Sequence, residues 1–276
     1  MLLRDYLFNV LKFSSRLVKR AKEGQILVNG EPKTVRYQLK MDDVLEIHVP
    51  IEKSESMHPE KMPLDIVYED EDVIVVNKLA GIPTIPSRLH PNGTLANSLL
   101  YYYKNNHIPY TIHVVTRLDK DTSGLVLIAK HPYSHSLLSS MQQNGKIERK
   151  YVAIVHGNLH CESGTIDEPI GRKPNSIIER TVMQTGKRAI THYKRIKQTE
   201  QYAVVEVELE TGRTHQIRVH FSYLGNPLVG DDLYGGKTGM IKRQALHCSE
   251  ITFTHPFTKE YITVQSDLPE DLISII

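Results

Sequence analysis

RLDKDTSGLVLIAK, residues 117–130, changes abruptly from a polar segment to an apolar one. From Gly124 onward the run is continuously apolar and rich in branched side chains, which predicts a buried β-strand. A second apolar segment at 112–115 precedes the polar residues, so they are expected to form a loop held at both ends. Such loops often carry catalytic groups, and Asp119 is the candidate here. Asp, Thr and Ser also form simple turns by bonding to their own backbone, and the loop alone leaves that alternative equally open.

Further strand-like segments recur along the chain and outnumber the predicted helices. They lie at 72–78, 124–130, 151–157 and 203–210. Between the second and the third, the stretch from Pro132 to Gly145 has apolar residues at helical spacing, and proline suits its first turn. Because the connections between strands vary, we expect an α+β fold with a mixed, largely antiparallel sheet flanked by helices.

The first 50 residues predict a small module of two helices and a β-hairpin. Apolar residues at helical spacing over 3–11 indicate the first helix. Ser14 can cap a second helix, and Gly24 is expected to end it in a left-handed conformation. Asn29-Gly30, which follows the apolar ILV, predicts a tight hairpin turn.

This module is basic. Residues 1–40 contain nine Lys or Arg against three Asp or Glu, a local net charge of +6 in a chain whose net charge is +2. Arg16, Lys19 and Arg20 lie on one face of the second predicted helix. A charged helix face is often only solvated, but the charge asymmetry indicates a surface that binds a polyanion.

The composition is that of a globular protein, with 276 residues of which 40% are apolar and 24% charged. The polar, proline-containing segment 51–63 predicts a linker, and a second domain is expected over 64–276. Cys161 and Cys248 form no CxxC pair, which excludes a disulfide framework and a cysteine metal site. No apolar run reaches membrane length. We therefore expect a cytoplasmic protein without a membrane role.

A second polar cluster, TGRTHQIRVHFSYLGNP, occupies residues 211–227. Its apolar residues have helical spacing, Thr214 is expected to cap the helix, and Gly225 is expected to end it. His215 and Arg218 would then share a face near the positive end of the helix dipole. This arrangement predicts a place for an anionic or hydrogen-bonding ligand.

Three motifs, in this order and at these separations, resemble the RluA/RluD group of large-subunit-type RNA pseudouridine synthases. They are RLDKDTSGLVLIAK, ERKYVAIVHG and TGRTHQIRVHFSYLGNPLVGDDLYG. VIVVNKLAGIP at 73–83 fits the opening strand and turn of the same family, and the match extends from about residue 64 to the C-terminus. SSRLVKRAKEGQILVNGEP resembles the small RNA-binding domain named after ribosomal small-subunit protein four.

The resemblance implies conversion of uridine in structured RNA to pseudouridine, in which the glycosidic bond is cut and the uracil is turned and rejoined through carbon. It implies neither a metal nor a cofactor. By their places in the motifs, Asp119 would be the catalytic carboxylate, Tyr151 the ring against the uracil and Arg218 the cation paired with Asp119. Arg117 would fill the space left by the flipped base. The pairing also makes physical sense, because a guanidinium keeps a carboxylate ionised and can orient it through a bidentate bond.

The implied partner is RNA, with ribosomal RNA as the first expectation and transfer RNA as the alternative. His215 and the basic residues Arg16, Lys19 and Arg20 are the further candidate RNA contacts. Thr116 occupies a position where the family usually has histidine, and YTIHVV replaces the usual turn before it. That histidine is not the catalytic group of the family, so the expected chemistry is unchanged.

Other functions fit the sequence less well. GDDLYGGKT at 230–238 has five residues between its first glycine and the Gly-Lys-Thr triplet, whereas a phosphate loop has four, so no nucleotide cofactor is expected. His131 and His135 lack the glutamate that a zinc protease needs after the first histidine. The main alternative is a catalytically idle RNA-binding or ribosome-assembly factor with the same fold. The presence of all three catalytic candidates argues against this alternative.

Overall fold

The computed structural model describes residues 1–50 and 57–276, so part of the predicted linker over 51–63 lies outside the described residues. Two helical segments and a three-stranded antiparallel sheet form the N-terminal part. Its elements are α1 (Leu3–Asp5), which continues as a π-helical turn (Tyr6–Val10), α2 (Ser15–Glu23), β1 (Gln25–Val28), β2 (Glu31–Pro32) and β3 (Leu45–His48).

Local sequence signals explain these N-terminal elements. The Ser14 hydroxyl caps α2 by accepting a hydrogen bond from the Leu17 N–H, and Asn29 and Gly30 have φ of 54° and 77°, as a tight hairpin turn requires. Gly24 ends α2, but the expected left-handed conformation is wrong, since its φ is −85°. A Cβ at Gly24 would lie 1.8 Å from the carbonyl oxygen of His48, so glycine is needed for the close approach of β3.

The rest of the chain forms a ten-stranded sheet, a separate two-stranded sheet, four α-helices and a 3-10 helix (Asp232–Tyr234) among the described residues. The strands are β4 (Ile66–Glu69), β5 (Val73–Lys78), β6 (His113–Val114), β7 (Ser123–Ala129), β8 (Ile147–His156), β9 (Ser163–Asp167), β10 (Ile170–Arg172), β11 (Arg180–Val182), β12 (Ile190–Gln198), β13 (Tyr202–Leu209), β14 (Leu246–Thr254) and β15 (Tyr261–Gln265). The helices are α3 (Leu95–Asn105), α4 (Pro132–Gln143), α5 (Gln216–Tyr223) and α6 (Glu270–Ile273).

The large sheet has the order β4-β5-β7-β14-β8-β13-β12-β9, with β6 paired to β7 and β15 to β14. All of its pairings are antiparallel except that of β7 with β14, which joins the two halves of the sheet. At this junction Gly124 has a φ of +110°, and a Cβ there would lie 2.3 Å from the carbonyl oxygen of Cys248. The predicted α+β fold with a mixed, largely antiparallel sheet is confirmed.

The main core lies on the central strands, where every residue of β7 is buried. The N-terminal part has an apolar cluster of its own, which Tyr133 of α4 joins. The Ser14 N–H donates to the hydroxyl of Ser136 at 2.9 Å, and that hydroxyl donates to the Lys12 carbonyl at 3.0 Å. These contacts hold the start of α2 against α4. No helix within the described ranges has the length and apolar character needed to cross a membrane.

Candidate active site

The loop that carries Asp119 is fixed from one side by the segment that follows β5. The buried hydroxyl of Thr84 donates to the Leu118 carbonyl at 2.8 Å and accepts from the Leu118 N–H at 3.2 Å. The Lys78 ammonium is buried and donates to three carbonyls, including that of Lys120 at 3.0 Å. Asp119 is thus flanked by two anchored residues, and this geometry favours a positioned functional group over an ordinary surface turn.

Arg218 of α5 connects Asp119 to a second carboxylate. Its Nη1 lies 3.2 Å from Oδ2 of Asp119, while Nε and Nη2 bond the two oxygens of Asp231 at 2.7 and 2.8 Å. The predicted pairing of Arg218 with Asp119 is present, but the bidentate bond is made to Asp231. Burial disfavours the charge of Arg218, yet its hydrogen bonds to Asp231 and the two nearby carboxylates outweigh that effect and raise its pKa above the ordinary value.

Asp119 keeps one oxygen available. Its side chain is 28% exposed, and within the described chain its hydrogen bond and ion pairs all involve Oδ2. Oδ1 is therefore the oxygen that can approach a ligand. Arg218 fixes the orientation of the carboxylate, because its Nε and Nη2 are bonded to Asp231.

His215 adds a polar group on the same side of the pocket. Its Nε2 lies 3.8 Å from Oδ2 of Asp119, and its Nδ1 lies 2.8 Å from the hydroxyl of Tyr234. Burial lowers the pKa of His215, although the charge of Asp119 opposes that effect, so the neutral imidazole is favoured at neutral pH. The Tyr234 ring also lies against Arg218, with 4.9 Å between the guanidinium carbon and the ring centroid.

Tyr151 lies on β8 and completes the pocket that contains Asp119, His215 and Arg218. It pairs in register with Cys248 of β14, which in turn pairs with Gly124 of β7. The pocket therefore opens where the two halves of the sheet meet. Tyr151 is 4% exposed, and burial raises the pKa of its phenol, which keeps the ring neutral.

The start of α5 is built differently from the prediction. Thr214 does not cap the helix: the residue before its first turn is His215, which has a φ of 58° and makes no side-chain cap. Gln216 holds the turn instead, since its side-chain oxygen accepts from the Arg213 N–H at 2.9 Å and from the Thr211 hydroxyl at 2.8 Å. The left-handed backbone conformation of His215 directs its own imidazole toward Asp119.

The remaining candidate RNA contacts lie at two places. Arg117 is exposed at the rim of the pocket. Arg16 and Arg20 line a groove between α2 and α4, and Arg20 also donates to the carbonyl of Pro50. Lys19 does not line this groove, and its ammonium lies 3.9 Å from Glu23. The basic residues of α2 therefore lie outside the pocket of Asp119.

Thr116, which stands where the family usually has histidine, is buried and structural. Its hydroxyl accepts a hydrogen bond from the Leu127 N–H at 2.9 Å, and its own N–H donates to the Leu127 carbonyl. It therefore ties the loop of Asp119 to β7 and presents no group to the pocket.

A cluster of possible metal ligands, Asp70, Asp72 and His255, lies at the opposite end of β7 from Asp119, because the turn between β4 and β5 adjoins Ala129. Nδ1 of His255 accepts hydrogen bonds from two backbone N–H groups. The ring proton therefore belongs on Nε2, which lies 3.2 Å from Asp70. A ligating histidine instead needs a free lone pair there, so this ring does not suit a metal site.

Sequence reasoning missed the residues that support the pocket. Asp231 and Tyr234 lie in the GDDLYGG stretch, which ends the third family motif, but neither residue was singled out there. No local pattern marks Asp231, which follows the apolar Leu228-Val229 and Gly230 and is followed by another aspartate. Lys78 was detectable as a charge at the end of a largely apolar strand, whereas nothing local marks Thr84.

Comparison with known proteins gives consistent matches along the chain. Residues 72–223 match the profile of the family described as RNA pseudouridylate synthase. The uncharacterized RNA pseudouridine synthase YjbO of Bacillus subtilis is 49% identical over 269 residues, which cover 96% of this chain and 95% of that protein. Ribosomal large subunit pseudouridine synthase D of Xanthomonas campestris is 37% identical over 272 residues, with coverage of 94% and 82%. The structure of human RNA pseudouridylate synthase domain containing 1 matches with a TM-score of 0.63 at 25% identity, over 77% of this chain and 87% of that one.

Proposed function

Since this chain belongs to the RNA pseudouridylate synthase family and is an RNA pseudouridine synthase, we propose that Asp119 is the carboxylate that acts on the target nucleotide. The observation that supports this role is the bond between Arg218 and Oδ2 of Asp119, which lines the pocket and keeps Oδ1 free of hydrogen bonds to the described residues. Tyr151 and Arg218 are the other two members of the proposed catalytic set.

The isomerisation requires no redox partner. The bond between C1′ of the ribose and N1 of uracil breaks, a bond between C1′ and C5 forms, one proton leaves C5, and one proton is taken up at N1. A fixed carboxylate can act on the sugar or accept a proton, and a neutral buried ring can hold the detached base by stacking. Asp119 and Tyr151 supply these two groups in one pocket.

The target nucleotide has to leave its helix to reach this pocket. We propose that Arg117, exposed at the rim, occupies the space vacated by the flipped base, and that His215 contacts the RNA beside it. The basic residues Arg16, Lys19 and Arg20 bind the RNA backbone farther out, as a module like the one of ribosomal small-subunit protein four over residues 1–50 would do.

We propose ribosomal RNA as the substrate and the cytoplasm as the compartment. The relative in Xanthomonas campestris carries the name of a ribosomal large subunit enzyme, which supports this substrate.

The test is to map pseudouridine in total RNA from cells with the gene, without it, and with the Asp119→Asn variant restored. We expect at least one ribosomal uridine to be modified only in cells with the wild-type gene. Loss of a mark in transfer RNA alone would contradict the proposed substrate. Absence of any difference between the three RNA samples would contradict the proposed activity in the cell.

A further inference from the structure

Arg149 is a buried cation for which the described protein supplies no partner. It lies on β8, two residues before Tyr151, and is 9% exposed. Its Nε is buried and makes no hydrogen bond in the described part of the chain. Asp119, which lines the same pocket as Arg149, is paired with Arg218. A buried charge without a partner is costly, so its presence points to a ligand that completes the site.

The position of Arg149 specifies which part of a nucleotide it would meet. It lines the pocket that contains Asp119 and Tyr151, and it also lines the wider cleft that leads out past Gln142. Its guanidinium lies over the backbone of Gly212, where a Cβ would come within 3.2 Å of Nη2. Arg149 thus stands at the boundary between the inner pocket and the outer cleft.

Neighbouring arginines do not compete for the same role. Arg218 is occupied by its two carboxylates, and Nε of Arg213 donates to the carbonyl of Arg188 at 2.9 Å. Arg117 is exposed at the rim. Arg149 is therefore the buried arginine at this boundary that forms no ion pair with a carboxylate of the described chain.

We propose that Arg149 binds the phosphate attached to the target uridine while the uracil lies in the inner pocket. This inference rests on the proposed function, because it takes the ligand to be a nucleotide flipped out of RNA. A flipped nucleotide keeps its phosphates at the entrance, where Arg149 lies. A phosphate neutralises the guanidinium and matches its fork, whereas a uracil carbonyl carries no full charge.

The test compares binding of uridine 3′,5′-bisphosphate and of uridine by calorimetry, in wild type and in Arg149→Met. We expect the wild type to bind the bisphosphate more tightly, and the ratio of the two dissociation constants to fall about tenfold or more in the variant. Arg149→Lys, which keeps the charge but not the fork, should give an intermediate ratio. Inorganic phosphate alone should bind more weakly than the bisphosphate, since it lacks the anchored base. Phosphate binding as tightly would mean a free-anion site and would overturn the proposal.

Two controls show whether a fall in the ratio is specific to Arg149. Arg4→Gln removes an exposed positive charge from the N-terminal part and should leave the ratio unchanged. The thermal midpoint of Arg149→Met should stay within about 3 °C of wild type, because no hydrogen bond of Nε is lost. An unchanged ratio in Arg149→Met would overturn the proposal even if the wild type modifies RNA. A wild type that modifies no RNA would instead contradict the proposed function.

Discussion

Arg218 shows how one side chain determines the orientation of the catalytic candidate. It bonds both oxygens of Asp231 and one oxygen of Asp119, so the buried Asp231 fixes the guanidinium and the guanidinium fixes Asp119. Asp231 is fully buried and makes no approach to a ligand. It therefore acts as a positioning residue.

Arg218→Lys should lower the single-turnover rate by about 100-fold, because an ammonium cannot bond both carboxylates with the same planar geometry and a misplaced group costs that much. Arg195→Lys is the matched control, since Arg195 of β12 bonds the carbonyl of Leu159 and does not line the pocket. The measurement is the rate of pseudouridine formation at saturating enzyme. Equal rates for Arg218→Lys and wild type would reduce Arg218 to a general RNA contact.

The sequence placed Asp119, Tyr151, His215 and Arg218 in one site, and the structure brings these four together in one pocket. Their catalytic and RNA-binding roles stay predictions. The sequence could not reveal Asp231 or Thr84 as supports, because both act through contacts that depend on the tertiary fold. The bidentate bond was assigned to the wrong carboxylate for the same reason.

Among the secondary-structure elements, the parallel pairing of β7 with β14 forms the junction at which the pocket lies. Strand positions were largely predictable from apolar runs, but β8 begins at Ile147, four residues before the predicted start. The charged Glu-Arg-Lys stretch concealed an alternation in which Ile147, Arg149 and Tyr151 all face inward. The parallel pairing of β7 with β14 could not be predicted, since β14 lies more than 100 residues later in the chain.

Gly124→Ala should destabilise the protein by more than about 3 kcal/mol, because its Cβ would collide with the backbone of Cys248 and its φ of +110° disfavours any side chain. Gly225→Ala is the control: Gly225 also has a positive φ, but a Cβ there meets nothing within 4 Å. Gly225→Ala should lower the free energy of unfolding by about 1 kcal/mol. Urea unfolding measures both values, and similar losses for the two variants would show that the junction tolerates a side chain.

The residues proposed to bind the RNA backbone and those proposed to perform the chemistry lie in different parts of the protein. Arg16 and Arg20 line the groove between α2 and α4, while the proposed catalytic set lies at the junction of β7, β8 and β14. The domain limits at 50 and 64 stay predictions. The contact of Ser14 with Ser136 was not predictable, since it joins surfaces that no local pattern identifies.

Replacement of Arg16, Lys19 and Arg20 by Gln should make the log-log salt dependence of RNA binding shallower by roughly 2 units, if each residue neutralises one phosphate of a single strand. Between about 50 and 200 mM salt, the wild type should then lose about twentyfold more affinity than the variant. Replacement of Lys61, Lys104 and Lys194, which are exposed and line neither the groove nor the pocket, is the matched control. Equal slopes for the wild type and the variant of Arg16, Lys19 and Arg20 would show that this basic face does not contact the RNA.

If Asp119 performs the chemistry, Asp119→Asn and Asp121→Asn should differ sharply in their effect on the rate. Each change removes one negative charge from the same loop, but the side chain of Asp121 does not line the pocket. The readout is pseudouridine formation in a single turnover on the target RNA at saturating enzyme, with RNA binding measured alongside. We predict that Asp119→Asn lowers the rate by at least about 1000-fold with binding retained, and that Asp121→Asn stays within about tenfold of wild type. An Asp119→Asn rate within about tenfold of wild type would contradict the catalytic role of Asp119.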